Sequence, residues 1–184
     1  MPHGRPALEG IRILDFTRAQ QGPFATMLLC DMGAEVIKVE PPGGEQGRAN
    51  GLGPDGFSSY FEGHNRGKRS ITLDLRVPEA ISIVRRLVPS CDVVVENFRP
   101  GVMEAMGLGY EDLKRLRPDV ILASASAWGR LGPWAERPGY DHVAQALSGV
   151  MYEQGGGPGG EPQALIGGFA DQIGDARTFD AVEQ

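Results

Sequence analysis

Ile11-Arg12-Ile13-Leu14-Asp15-Phe16, followed by Pro23 to Leu29, Gly33 and Glu35-Val36-Ile37-Lys38-Val39, is the stretch that decides the fold. The first segment reads as a strand and the last as a second, short strand. Between them, Pro23 suits the first turn of a helix that runs through Met27, Leu28 and Leu29 and stops at Gly33. The same alternation continues downstream. Ser70 to Leu75 reads as a third strand. Pro78 then opens a helix with apolar residues at 80, 81, 84, 87 and 88, a spacing that buries one face. Asp92-Val93-Val94-Val95 is a fourth strand, and its continuous apolar run suits a strand covered on both sides. Short helices near 102–106 and 110–117 lead to a fifth strand, Val120 to Ser124. Strand–helix alternation of this kind predicts an α/β fold with a Rossmann-like open parallel sheet. Right-handed crossovers would line the strand carboxyl ends along one edge, where ligands bind.

The connecting segments read differently. Pro41-Pro42-Gly43-Gly44 ends the second strand, and a loop follows to about Asp55. Asp141 to Met151 reads as a helix, Glu153 to Gly168 as a flexible glycine-rich stretch, and Phe169 to Gln184 as a short, mostly polar tail. The chain is therefore expected to divide into a Rossmann-like part over residues 1–150 and a loop-and-tail part over 151–184.

Composition narrows the function. The 184 residues carry 18 Lys and Arg against 24 Asp and Glu, a net charge of −6. That balance argues against a general attraction for nucleic acid or anionic lipid. The 27 glycines and 14 prolines fall in discrete blocks, which suits tight loops between real elements. No stretch approaches 18 apolar residues, and Met1-Pro2-His3-Gly4-Arg5 lacks an apolar signal region, so a cytoplasmic protein without membrane contact is expected. Cys30 and Cys91 lie in apolar runs and read as buried thiols. His3, His64 and His142 have no ligand spacing, so no metal is expected.

Two motifs fail on inspection. Gly155, Gly157 and Gly160 match the dinucleotide fingerprint formally, but a helical segment precedes them and Pro158 interrupts the turn. Gly63 to Arg69 is one residue short of a P-loop and puts Arg69 where Ser or Thr should bind the metal. Its cluster Arg66, Lys68 and Arg69 reads equally well as a phosphate contact or as a solvated positive loop.

The specific signal is an ordered set of segments. They are Leu14-Asp15-Phe16-Thr17 leading to Gly22-Pro23; Gly33-Ala34-Glu35-Val36-Ile37-Lys38-Val39-Glu40-Pro41-Pro42-Gly43; and Asn65-Arg66-Gly67-Lys68-Arg69-Ser70-Ile71-Thr72-Leu73-Asp74-Leu75. Val94-Val95-Glu96-Asn97-Phe98-Arg99-Pro100-Gly101, Met106-Gly107-Leu108-Gly109-Tyr110-Glu111, Pro138-Gly139-Tyr140-Asp141 and Gln145-Ala146-Leu147-Ser148-Gly149 follow. Together they resemble the family III coenzyme A transferases, which include formyl-CoA and carnitine-related transferases and the related α-methylacyl-CoA racemases. The match covers the first half of such a protein. The resemblance therefore implies the N-terminal part of the large domain, truncated, of a chain that would form a homodimer at full length.

The resemblance also implies a chemistry. Coenzyme A passes from an acyl-CoA to a free carboxylic acid acceptor through an aspartyl anhydride and an enzyme–CoA thioester. The acyl-CoA is a substrate, and no tightly bound cofactor or metal is implied. The family's nucleophilic Asp aligns with Asp171, after Gly167-Gly168-Phe169-Ala170, and Asp175 is a nearby alternative without the motif spacing. An ordinary Asp, with a pKa of about 3.9, is ionised at neutral pH. The backbone amides of Gly167 and Gly168 are candidate donors to the oxyanion. Coenzyme A contacts carry over to Gln20 and Gln21 near the thiol end, and to Leu73 and Arg76 at the nucleotide. Asn97, Phe98 and Arg99 would lie along the molecule, with Arg137 and Tyr140 in the loop before residue 141. Ala105 stands where transferases of this family often carry Arg, and Pro41 where some do, so either coenzyme A sits slightly differently or Arg48 or Arg99 compensates. Tyr140 stands where racemases carry a His, which favours transfer over racemisation. A non-catalytic coenzyme A-binding fragment and a 2-methylacyl-CoA racemase are the alternatives.

Overall fold

The computed structural model describes residues 4–175 and 180–182. Five strands run parallel: β1 (Arg12–Asp15), β2 (Glu35–Glu40), β3 (Arg69–Thr72), β4 (Val93–Glu96) and β5 (Ile121–Ser124). Their spatial order is β3-β2-β1-β4-β5, and β6 (Asp180–Val182) adds an antiparallel edge beside β5. The helices are α1 (Gln21–Asp31), α2 (Ser59–Asn65), α3 (Pro78–Leu87), α4 (Val102–Ala105), α5 (Tyr110–Leu116), α6 (Asp141–Leu147), α7 (Val150–Gln154) and α8 (Phe169–Asp175).

Residue alternation builds two cores from one sheet. Leu14, Val94 and Leu122 face one side and pack with Ala80 and Val84 of α3, Met103 of α4 and Leu113 of α5. Their neighbours Ile13, Val95 and Ala123 face the other side, with Ala34, Val36 and the α1 residues Leu29 and Cys30. A strand covered on both faces must be apolar at consecutive positions, which is why Val93-Val94-Val95 shows no polar alternation. The α3 pattern holds as expected: Ala80, Val84 and the following Val88 are buried.

The sheet order places a crossing point between β1 and β4. From β1 the chain winds outward through β2 and β3, then returns to the opposite side of β1 at β4. The crossovers that follow β1 and β4 therefore head to opposite sides of the sheet, which puts a crevice at the carboxyl edge.

Several expectations need correction. The helix expected over residues 141–151 is two helices, because Gly149 adopts φ +80°, a left-handed conformation that ends α6 and starts α7. The loop expected up to Asp55 contains a 3₁₀ turn, Gln46–Ala49. Helix α2 has no counterpart among the expected elements, although Ser58 caps it by accepting the Phe61 N–H at 2.9 Å. The tail from Phe169 begins with α8, which packs on α1 and α6; its positions 176–179 and 183–184 lie outside the described residues, as does His3. The stretch before α8 is bonded to the body: Gln163 N–H donates to Met151 O at 2.9 Å. Cys91 is fully buried, whereas Cys30 is only half-buried.

Each member of the cluster Arg66, Lys68 and Arg69 has an acidic partner, but of the three Lys68 alone is buried. Arg66 pairs with Asp31, and Arg69 with Glu35 at 2.8 Å. The Lys68 ammonium is buried and donates to Asp15 Oδ2 at 3.0 Å, Pro23 O at 2.9 Å and Asn65 Oδ1 at 2.9 Å. Asp15, fully buried, also accepts the Thr17 N–H at 2.8 Å and the Thr26 hydroxyl at 2.8 Å. Buried Lys38, opposite Asp15 in the sheet, donates to Thr17 O at 2.8 Å. Burial alone would raise the Asp15 pKa, but Lys68 and Lys38, with the two threonine hydroxyls, outweigh it and hold it below the usual value. Burial in turn lowers the Lys68 pKa against the pull of Asp15.

Removing one partner of such a pair strands the other charge. Lys68→Met should therefore destabilise the fold by about 3–5 kcal/mol, read from urea unfolding followed by circular dichroism. A loss within error of zero would mean that Asp15 is compensated elsewhere. The Asp15 contribution is present above its unfolded pKa and is lost as pH falls toward the depressed folded value.

Candidate functional site

The crevice at the β1–β4 crossing opens into three adjoining hollows. The inner one, about 410 Å³, is lined by residues that include Arg18, Gln20, Gln21, Asn97, Tyr140 and Asp171. Two outer hollows, of about 830 Å³ and 370 Å³, share Arg18, Leu75, Arg76 and Phe98. Arg18 borders all three.

The loop after β1 and the loop after β4 are clasped together. Asn97 Oδ1 accepts the Arg18 N–H at 2.8 Å, and Asn97 Nδ2 donates to Arg18 O at 2.9 Å. The Arg18 guanidinium lies over the Phe98 ring at 4.8 Å. Phe98 N–H donates to buried Glu96 Oε2 at 2.7 Å, which fixes the turn that leaves β4. Burial pushes the Glu96 carboxyl up, against the Ser124 hydroxyl that holds it down.

Asp171 sits in the first turn of α8, half-buried on the wall of the inner hollow. Its backbone is set from a distant element. Asp141, at the start of α6, accepts the Ala170 N–H at 2.7 Å and the Asp171 N–H at 3.2 Å through Oδ1. Asp141 Oδ2 accepts from Gln145 Nε2 at 2.6 Å. Gln145, itself fully buried, clamps Leu165 by accepting its N–H at 2.8 Å and donating to its carbonyl at 3.1 Å. Gln20 holds the next turn, donating to Gly167 O at 2.6 Å and Gly168 O at 3.3 Å. A Cβ at Gly168 would collide with the Gln20 amide, and Gly168 has φ +70°, so glycine is required there twice over.

The electrostatics differ from those of a solvated aspartate. Burial, with the Asp141 charge added, raises the Asp171 pKa to about 6, against a smaller opposing pull from His142. With its pKa near 6, the carboxylate form is favoured at neutral pH. Tyr60 of α2 faces the same region. Burial, Glu45 and Asp171 push its hydroxyl up to about 12, so it stays protonated and can donate.

Most residues expected from the sequence converge on the crevice. Gln20, Gln21, Asn97, Tyr140 and Asp171 share the inner hollow. Leu73 borders the smaller outer hollow, Arg99 the larger, and Arg76 and Phe98 both. Arg76 is exposed and forked onto Asp74 by two 2.8 Å bonds. Arg137 stands apart: its guanidinium stacks on Trp134 at 5.1 Å, and it borders none of these hollows. Ala105 lines the larger outer hollow and Pro41 the smaller. Arg48, which forks onto Glu40 at 2.7 Å and covers Phe61 at 3.7 Å, lines neither hollow. Arg99 and Arg85 do line the larger hollow.

Sequence reasoning missed Arg18, Tyr60, Trp128 and Asp141 as neighbours of the site. Arg18 was legible from its place in the loop after the first strand. Tyr60 depended on the unforeseen α2. Among the described residues, no group of three His, Cys, Asp or Glu side chains could hold a metal, and no helix is long and apolar enough to cross a membrane.

Comparison with known proteins gives concordant results. A family model described as CoA-transferase family III matches residues 8–178. Succinate–glutarate CoA-transferase of Agrobacterium fabrum is 44% identical over 191 residues, covering 100% of this chain and 48% of its own length. Human succinyl-CoA:glutarate CoA-transferase is 48% identical over 152 residues, covering 80% of this chain and 34% of its own. The crystal structure of a CAIB/BAIF family protein from Brucella suis superposes with a TM-score of 0.87 at 41% identity, over 96% of this chain and 48% of the other. This chain thus spans between about a third and a half of the length of these relatives.

The perturbed carboxylate is directly measurable. Carboxyl NMR should place the Asp171 midpoint near 6. Asp141→Asn, which removes the neighbouring charge, should lower that midpoint without restoring the ordinary value, because burial is the larger cause. A midpoint near 4 in the unsubstituted protein would contradict the buried placement.

Proposed function

We propose, from the premise that this chain belongs to CoA-transferase family III, that the protein moves coenzyme A between an acyl-CoA and a free carboxylic acid, with Asp171 as the covalent acyl acceptor. The observation that carries this reading is the half-buried Asp171 carboxylate on the wall shared with Gln20, Gln21, Asn97 and Tyr140.

In the proposed sequence an Asp171 oxygen attacks the thioester carbonyl carbon. The carbon–sulfur bond breaks, coenzyme A leaves as thiolate, and Asp171 holds the acyl group as a mixed anhydride. The thiolate then attacks the Asp171 carbonyl and releases the donor as its carboxylate, leaving an aspartyl–CoA thioester. The acceptor carboxylate attacks that thioester, again expelling thiolate and forming a second anhydride. Thiolate attack on the acceptor carbonyl yields the new acyl-CoA and regenerates Asp171. Each step exchanges one acyl bond for another, so the sequence consumes no nucleotide and needs no net proton transfer.

The surroundings support each requirement. Burial strips water from the Asp171 carboxylate, which makes it a better nucleophile and protects the anhydride from hydrolysis. Tyr60 keeps a protonated hydroxyl within electrostatic range of Asp171. The outer hollows offer Arg76, Arg85 and Arg99 to phosphates, while Leu73, Phe98 and Met106 offer apolar surface to an adenine. Tyr140, not histidine, faces the inner hollow, which favours acyl transfer over proton abstraction beside the carbonyl. The two transferases compared above act on succinyl and glutaryl groups by name, so succinyl-CoA with glutarate is the first pair to assay.

The test uses protein of the full length that its gene encodes. Incubation with succinyl-CoA, quenching with hydroxylamine and peptide mass spectrometry should place a hydroxamate on Asp171. Asp171→Asn should lower kcat by at least about a thousandfold with its fold intact. A hydroxamate on another residue, or an active Asp171→Asn enzyme, would refute the assignment. In the active protein kcat/KM should fall as pH drops through about 6, because the protonated acid is not a nucleophile.

A further inference from the structure

The loop that leaves β1 holds a conformation its own residue disfavours. Ala19 has φ +63°, and among the described residues it is the only non-glycine in the left-handed region. Such a conformation persists where the surroundings enforce it. The Ala19 N–H donates to Glu45 Oε2 at 2.9 Å.

Glu45 reaches this amide from the segment that follows β2. It is 3% exposed, and its own backbone is anchored, since Glu45 N–H donates to Glu40 Oε2 at 3.1 Å. Glu40 is fixed by the Arg48 fork and by the Ser70 hydroxyl at 2.5 Å, which hold its pKa down at about 2 against the opposing effect of burial. The second Glu45 oxygen, Oε1, is buried without a hydrogen-bond partner among the described residues. Burying a half-satisfied carboxylate is unfavourable, so packing alone does not account for an acidic residue at this position. Gly47 makes room for it: a Cβ there would collide with Glu45 Oε1.

What Glu45 holds is functional territory. Ala19 lies between Arg18 and Gln20, and with Gln21 all of them line the hollow that contains Asp171. Gln20 further braces the turn before α8. A rotation at Ala19 would swing the Gln20 and Gln21 side chains and release Gly167 and Gly168.

We propose that Glu45 is a positioning residue, which locks Ala19 in its left-handed conformation and so aims Gln20 and Gln21 at the thioester end of a coenzyme A substrate. This rests on the transferase reading given above. Glu45 acts through the Ala19 amide and touches no substrate atom.

Three variants of the full-length protein test this: Glu45→Ala, Glu45→Gln, and Glu45→Ala combined with Ala19→Gly. Hydrogen exchange reports the loop, and calorimetry with coenzyme A reports the site. Glu45→Ala should speed exchange in peptides covering residues 17–22 while leaving β1, β4 and β5 protected, and should weaken coenzyme A binding by about tenfold or more. Glu45→Gln keeps a carbonyl oxygen for the Ala19 N–H and should recover most of that affinity. The double variant should recover part of it, because glycine meets no steric penalty at this φ. Unchanged affinity in Glu45→Ala, or exchange that rises equally throughout the sheet, would overturn the positioning role. An affinity loss of the same size in Glu45→Ala and in the double variant would overturn the claim that Glu45 opposes strain. Failure of the unsubstituted protein to bind coenzyme A would instead overturn the transferase reading on which the proposal rests.

Discussion

The buried pair of Asp15 and Lys68 is the constraint on which the rest of this structure depends. It joins three elements that the chain brings together from far apart: the end of β1, the first turn of α1 through Pro23 O, and the segment between α2 and β3. Neither charge can leave its partner without facing a medium that solvates it poorly. Thr17 and Thr26 donate to Asp15 as well, and Lys38 binds Thr17 O, so both charges are tied into one network. The loop that turns away from β1 therefore starts from a rigid base, and the residues on it inherit that rigidity.

Around the crevice, polar side chains serve backbone geometry before they can serve a ligand. Asn97 spends both ends of its amide on Arg18, Gln145 spends both on Leu165, and Asp141 caps the start of α8. The consequence is an aspartate held in a partly desolvated, negatively biased place, which accounts for its raised pKa. A carboxylate kept partly desolvated is more reactive than the same group wrapped in water on an open loop. The outer hollows have the opposite character, with exposed arginines beside apolar walls. Arg18 borders both environments, so the two meet at the loop after β1.

The secondary structure was legible wherever it was set by periodicity. The strands from β1 to β5 and helices α1 and α3 lie within a few residues of the expected places, because burial on both faces or on one stripe leaves a direct imprint on residue order. The misses have local causes. Helix α2 has a sound cap in Ser58, but Gly63 in its body and its short length hide the pattern. The split between α6 and α7 rests on one glycine torsion. Helix α8 has no side-chain cap of its own in the preceding residues, because its cap, Asp141, lies about thirty positions upstream. The basic cluster at residues 66–69 stayed open between two readings for a related reason. Three neighbouring positive charges look alike on paper, yet Lys68 is buried against Asp15 while Arg66 and Arg69 hold exposed pairs with Asp31 and Glu35.

The sequence by itself determined the α/β alternation, the parallel sheet and the ordered segments that place the chain in its family, since these are carried by residue identity and short-range spacing. It also singled out Asp171 and most of the residues that now share its crevice. Only the tertiary structure decided that the Asp171 pKa would be near 6 and not 4, that Arg137 would stack on Trp134 away from the hollows, and that Arg48 would be tied to Glu40. The physical reason is common to all three. Desolvation, charge proximity and the choice among competing partners depend on distances through space, and a linear order of residues carries no such distances until the chain has folded.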